Sequence, residues 1–237
     1  MFLKLFRHRA EVIASLGNAM GLRVRPYVNE SLPYFRRLSF QQQEKICFAL
    51  GNLIRIFNAA KAEMGSQWDS RRLIWTALKS FDFRPTADFF EQIEDDDIIQ
   101  IYDTRGVQIF SNLKFFDVCS YNLEELYVLD WGMLWARDPE ALGRLKELEE
   151  KVLTDDSVQS ALVVRESHLV WETRSPLRLE IAYCLKSISP VWDRKTNRKA
   201  GFAVNEKGEI VASSSLKTKE MWIPDEARLA DSPFSVV

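Results

Sequence analysis

The hydrophobic period of this chain changes once, and that change fixes its fold class. Up to Asp82, apolar residues recur at helical spacing: Phe2, Leu5, Phe6, Val12, Ile13, Leu16 and Met20 form one stripe, with Lys4, Arg7 and Glu11 between them. Beyond Asp97 the period shortens. Leu177 to Leu185 alternates apolar with polar or small residues, the pattern of a strand with one buried face. A chain that uses the two periods in succession is expected to be α+β, a helical N-terminal part followed by a mixed antiparallel sheet with flanking helices.

Start and stop signals divide it further. Gly21 is a stop for the first helix. Ser39 caps a second, carried by Ile46, Leu50, Leu53, Ile54 and Phe57 to about Met64 and ended by Gly65. A third starts near Asp69, and Asp82 to Pro85 breaks the pattern. Residues 86–94 read as one more short helix. The expected organisation is a helical domain or cap over 1–85, a sheet domain over 94–212 and a polar, proline-bearing tail over 213–237.

Within the sheet region, Ile98, Ile99 and Ile101 predict a strand, Asp103 to Gly106 a turn, and Val107, Ile109 and Phe110 a second strand. Asn112, an aromatic helical turn at Phe115 and Phe116, and a helical zone through Trp131 and Trp135 follow. Asp138-Pro139 opens a long helix with Leu142, Leu145, Leu148 and Val152 on one stripe. Strand signals return at Val158–Val164, Leu169–Trp171 and Leu177–Leu185. Lys199–Val204 and Glu209–Ala212 read as a hairpin around Asn205-Glu-Lys-Gly208.

The chain carries 46% apolar residues among 237, enough for a substantial core. Its net charge of −2 hides an asymmetry. Residues 1–80 hold thirteen Lys and Arg against five Asp and Glu; the remainder holds nineteen against twenty-nine. Either the two parts attract each other, or the basic part meets an anionic partner. The arginines open to the second use are Arg7, Arg9, Arg23, Arg25, Arg36, Arg37, Arg71 and Arg72. Cys47, Cys119 and Cys184 are odd in number and far apart, as expected of reduced thiols. With no signal-peptide h-region and no apolar run long enough to span a bilayer, a soluble, cytoplasmic protein is expected.

Catalytic motifs are missing. There is no Gly-x-Gly-x-x-Gly, P-loop, Gly-x-Ser-x-Gly or His-Glu-x-x-His, and only His8 and His168 are present. No metal site and no enzymatic activity are expected. Glu94-Asp95-Asp96-Asp97 reads as a solubilising run before a sheet edge rather than a metal or phosphoacceptor cluster.

The order strand, strand, short helices, long helix, three strands resembles that of a PAS domain, over roughly residues 94–212. Asn112 stands where PAS domains often place an Asn after the second strand. Tyr121-Asn-Leu-Glu-Glu-Leu126 resembles the family's "Gly-Tyr-Ser-x-Glu-Glu-Leu" segment, with Ser120 where Gly is usual. Leu179 to Val191, Asp193 and Lys199-Ala-Gly-Phe202 resemble its last strand pair. The match is weak between these blocks, and Val158 to Trp171 reads as an extra strand. The resemblance implies a bacterial-type sensor or interaction module in signal transduction, one that regulates by binding a protein partner and pairs as a homodimer. Its interior would be cofactor-free, or would hold a small molecule lined by Phe116, Trp131, Trp135, Tyr183 and Phe202. The alternative is a transcriptional regulator whose basic helical half contacts DNA.

Overall fold

The computed structural model describes residues 1–64 and 68–213. Three helices come first: α1 (Phe2–Ala19), α2 (Phe40–Met64) and α3 (Ser70–Ser80). The stripe on α1 buries Phe6, Ala10, Ile13 and Ala14, and the Phe6 ring meets Phe35 with centroids 4.4 Å apart. Asp69 caps α3, its carboxylate accepting the main-chain N–H groups of Arg71 and Arg72. The expected stop at Gly65 lies outside the described residues, as do residues 214–237 of the expected tail.

The sheet is antiparallel throughout. Its strands are β1 (Phe83–Arg84), β2 (Ile98–Asp103), β3 (Gln108–Ser111), β4 (Trp135–Arg137), β5 (Leu162–Glu172), β6 (Leu179–Asp193) and β7 (Lys199–Ser213). They lie in the order β3-β2-β7-β6-β5-β4, with β1 paired to the far end of β6, and the sheet is curled. Three further helices, α4 (Leu123–Val128), α5 (Trp131–Leu134) and α6 (Pro139–Thr154), connect β3 to β4 and β4 to β5.

Both faces of the β2–β7 region are covered. Ile99, Ile101, Phe110 and Ala203 share one core with α1, α2 and α3, and the Phe110 ring lies 6.5 Å from Phe57 of α2. Tyr102, Leu185, Ile188, Phe202 and Val204 form a second core under Leu145, Leu148 and Val152 of α6. Asp138 caps that helix through the N–H groups of Glu140 and Ala141, and Pro139 occupies its first turn.

Several sequence expectations need correction. The hairpin at Asn205–Gly208 is continuous strand. Its turn-type residues serve packing instead. Asn205 is buried and its Nδ2 donates to the Gln92 carbonyl at 3.1 Å. Gly208 lies against the Tyr183 ring and Val118, each 3.1 Å from where a Cβ would stand. The two signals at Val158–Val164 and Leu169–Trp171 fall on one strand, which begins only at Leu162, so there is no extra strand there. A bulge between Val163 and Glu166, with Arg165 at φ 54°, interrupts its alternation and made one strand read as two.

Trp135 belongs to strand β4, paired with Glu172, and not to the helical zone. Leu177 is exposed and precedes β6, because Arg178 turns the chain at φ 44° before the strand begins. Of residues 86–94 only Phe89–Gln92 is helical, a single 3₁₀ turn.

Candidate ligand-binding chamber

Under α6, side chains from five elements enclose a cavity of about 50 Å³. Strand β2 supplies Gln100 and Tyr102, β4 Arg137, β6 Leu185 and Ile188, β7 Val204 and Glu206, and α6 Leu145 and Glu149. The period-two rule brings the strand residues to one face: Gln100 pairs with Val204, which pairs with Ile188, and Glu206 pairs with Leu185. Glu149 stands four residues after Leu145 and three before Val152, on the same side of α6.

Three of the lining side chains carry charge: Arg137, Glu149 and Glu206. Glu206 is only 9% exposed. Among the described residues none of the three side chains makes a hydrogen bond or an ion pair, yet each feels the others through space. Burial pushes the Glu206 carboxyl above the usual carboxylate range; Glu149 adds to the rise and Arg137 opposes it. Burial likewise raises Glu149, against Arg137 and Lys146. Tyr102 is half-buried, its phenol held far up by desolvation and by Glu206, and its hydroxyl donates to Gln100 Oε1 at 2.6 Å.

Other polar atoms, these fully buried, also lack partners. The Tyr183 hydroxyl and His168 Nε2 make no hydrogen bond among the described residues, and neither does Trp135 Nε1. His168 and Tyr183 stack with ring centroids 6.2 Å apart. Burial, then Arg137, lowers the His168 pKa, so this imidazole stays neutral at pH 7.

Of the aromatic residues that the sequence offered as a pocket lining, Trp131, Trp135 and Tyr183 gather around Phe115, at 5.7, 5.3 and 6.4 Å between ring centroids. They form a packed cluster. Phe116 is buried in the main core, and it is its neighbour Phe115 that joins these rings. Phe202 stacks on Tyr102 at 4.9 Å, in the second core beside the chamber. Arg137, Glu149, Glu206 and Gln100 escaped the sequence reading. The available signal was Glu149, a charge on the apolar stripe of α6; Glu206 was hidden inside the supposed turn.

The acidic run before β2 is tied into the fold. Asp97 is fully buried and holds Lys186 Nζ at 2.7 and 2.8 Å through its two oxygens. Glu94, Asp96 and Asp97 do converge, but Lys186 and Lys207 stand among them, Lys207 at 2.7 Å from Asp96. Asn112 is structural: its Nδ2 donates to the Asp97 carbonyl, and its Oδ1 accepts from the N–H groups of Ile99 and Lys114.

Of the N-terminal arginines, Arg7, Arg9, Arg25 and Arg71 donate to the main-chain carbonyls of Glu30, Cys47, Tyr121 and Ile93. No helix among the described residues is long and apolar enough to cross a membrane. No protein-family model matches the chain, and neither does any curated protein or solved structure.

Proposed function

We propose that this chain is a PAS-like regulatory module that binds a small polar ligand in the chamber under α6 and acts through a protein partner, without catalysing a reaction. The observation that carries the reading is the chamber itself. Three charged side chains line the space and, among the described residues, make no hydrogen bond or ion pair; Glu206 is buried, and buried polar groups are as a rule hydrogen-bonded. The chain order of strand pair, short helices, long helix and three strands, with the short strand β4 set before the long helix, is the support for the PAS-like reading. The partner surface belongs to the helical layer, where Phe40, Phe48 and Trp75 are exposed, and a second copy of the chain is the first candidate for it. Three free cysteines support a reducing, cytoplasmic setting.

The helical layer and the chamber lie against the two faces of the same β2–β7 region, each through its own core. DNA binding by the basic half is the weaker reading, because four of its eight candidate arginines are engaged with carbonyls.

Native mass spectrometry of gently purified protein tests the binding claim, with hydrogen exchange across α1–α3 before and after the protein is stripped of small molecules. A retained mass, with exchange in the helices altered on stripping, is expected. An unliganded protein whose helices exchange identically before and after would overturn the reading.

A further inference from the structure

The sheet face that α1–α3 cover at one end stands bare at the other. On that face Ala203 pairs with Ser189 and Asn205 with Ser187, and all four are buried. Towards the start of β6 the same face carries two rows of cross-strand neighbours, Leu169–Ala182–Glu209 and Trp171–Glu180–Ala212. Leu169, Trp171, Glu209 and Ala212 are exposed there, and Ala182 and Glu180 are half-buried. We propose that a segment of this same chain, residues 217–223, docks on the bare face, with Trp222 seated in the groove at its end. The chamber under α6 lies on the opposite face and has no part in this.

The groove sets the place. Trp171, Glu180 and Ala212, one complete row, line it together with Arg178 and Ser213, around a space of about 510 Å³. Sites that enclose a small organic group span roughly 300–1,000 Å³, so an indole fits. Ser213 is both a wall of the groove and the last of the described residues, so the chain leaves β7 at the rim of the groove itself. Trp222 follows nine residues later, within an extended reach of about 30 Å. The four strands β4–β7 are together only about 15 Å across, so the segment can turn back and lie over them.

Composition sets the occupant. Residues 214–220 are polar or charged apart from Leu216, and then Met221, Trp222 and Ile223 stand together before Pro224. An apolar triplet in a polar stretch gains by leaving water, and so does a sheet face that exposes Leu169 and Trp171. An indole laid against Trp171 adds an aromatic pair to the buried area. Charge agrees. Lys217 and Lys219 precede the triplet, and the carboxylates of Glu180 and Glu209 make no ion pair among the described residues. Asp225 and Glu226 follow it, and Arg178 at the groove is likewise unpaired. A second copy of the chain, by contrast, would set Glu180 and Glu209 against a face that bears the same two carboxylates.

Photo-cross-linking of the full chain tests this, with the Trp222 side chain replaced by benzoylphenylalanine and equal amounts of light and heavy isotope-labelled protein mixed before irradiation. Cross-links within one chain, to peptides that carry Leu169, Trp171 or Ala182, are expected. Cross-links that join light to heavy chains would overturn the proposal in favour of a second copy, and so would the absence of any cross-link to this face. Limited trypsin cleavage after Lys217 and Lys219 gives a second readout. Ala182→Glu places a charge in the middle of the face and should speed that cleavage at least fivefold, with folding checked by circular dichroism. If that variant fails to fold, Trp222→Ser takes its place and should give the same acceleration. Cleavage as fast in the parent as in the folded variant would overturn the docking.

Discussion

Glu124 holds Phe35 by its main chain across the seam between sheet and helices. Its Oε1 accepts the N–H of Phe35 at 3.0 Å and that of Tyr34 at 2.9 Å. Burial outweighs those two bonds and lifts the carboxyl from 4.5 to about 7. Between these values the folded protein holds a proton that the unfolded chain has released, so the group favours folding at low pH. Its contribution is complete below about 4.5 and is lost as pH rises through about 7. Urea melts at pH 5 and pH 8 should show a loss of roughly 2–3 kcal/mol from this source. Glu124→Gln keeps an acceptor oxygen and should flatten the profile; an unchanged pH dependence in that variant would refute the assignment.

Asp97 and Lys186 form a pair with one end fully buried and the other partly open to solvent. Asp97→Asn leaves the Lys186 ammonium only the exposed Glu94 carboxylate, at 3.2 Å, as its counter-charge. It should cost about 2–4 kcal/mol, towards the low side of buried pairs because Lys186 still reaches water. The double variant Asp97→Asn with Lys186→Met should lose less than the sum of the two single variants, as read from urea midpoints. Additive losses would mean that the two groups do not interact.

The faces of β6 are expected to separate by energy. Ile181 is fully buried, whereas Glu180 of the same strand is half-buried on the opposite side. Ile181→Ala should cost about 2–5 kcal/mol. Glu180→Ala should stay within about 0.5–1 kcal/mol. Equal losses at both positions would show that the second face is also sealed.

Gly201 is required by close approach. Its φ is 156°, and a Cβ would stand 1.9 Å from the Tyr102 carbonyl oxygen on the neighbouring strand. Gly201→Ala must push β7 away from β2, and a loss of more than about 2 kcal/mol is expected in thermal or urea melts. A variant as stable as the parent would mean that the strand end gives way at little cost.

The sequence carried much of the architecture because local signals and final structure agree in most places. Asp69 and Asp138 cap helices where their spacing put them, and Leu179, Ile181, Tyr183 and Leu185 share the buried face that alternation assigns. The errors fall where a long-range demand overrides a local one. Asn205 and Gly208 read as a turn because the residues that need them there, Gln92 and Tyr183, are distant in the chain. Arg165 sits at a bulge that no local pattern announces. The chamber was the least legible part. Its charges come singly from β4, α6 and β7, and only the register of β7 against β6 and β2 brings them to one cavity.

That register also governs how the molecule can assemble. Strand β2 finds its long partner only in β7, where Ile98 lies opposite Glu206, more than a hundred residues later. Helices α1–α3 and the β2–β3 pair can form early, but the edge of β2 stays open until β7 arrives. Closing so large a loop comes before the contacts that reward it, so sheet completion is expected to be the slow step of folding. Before that closure the chain would present a bare strand edge and the apolar groups of both cores, features that favour self-association. Refolding yield should therefore fall with rising protein concentration even where the native protein is stable, and the chamber under α6 forms only once β7 has paired with β2.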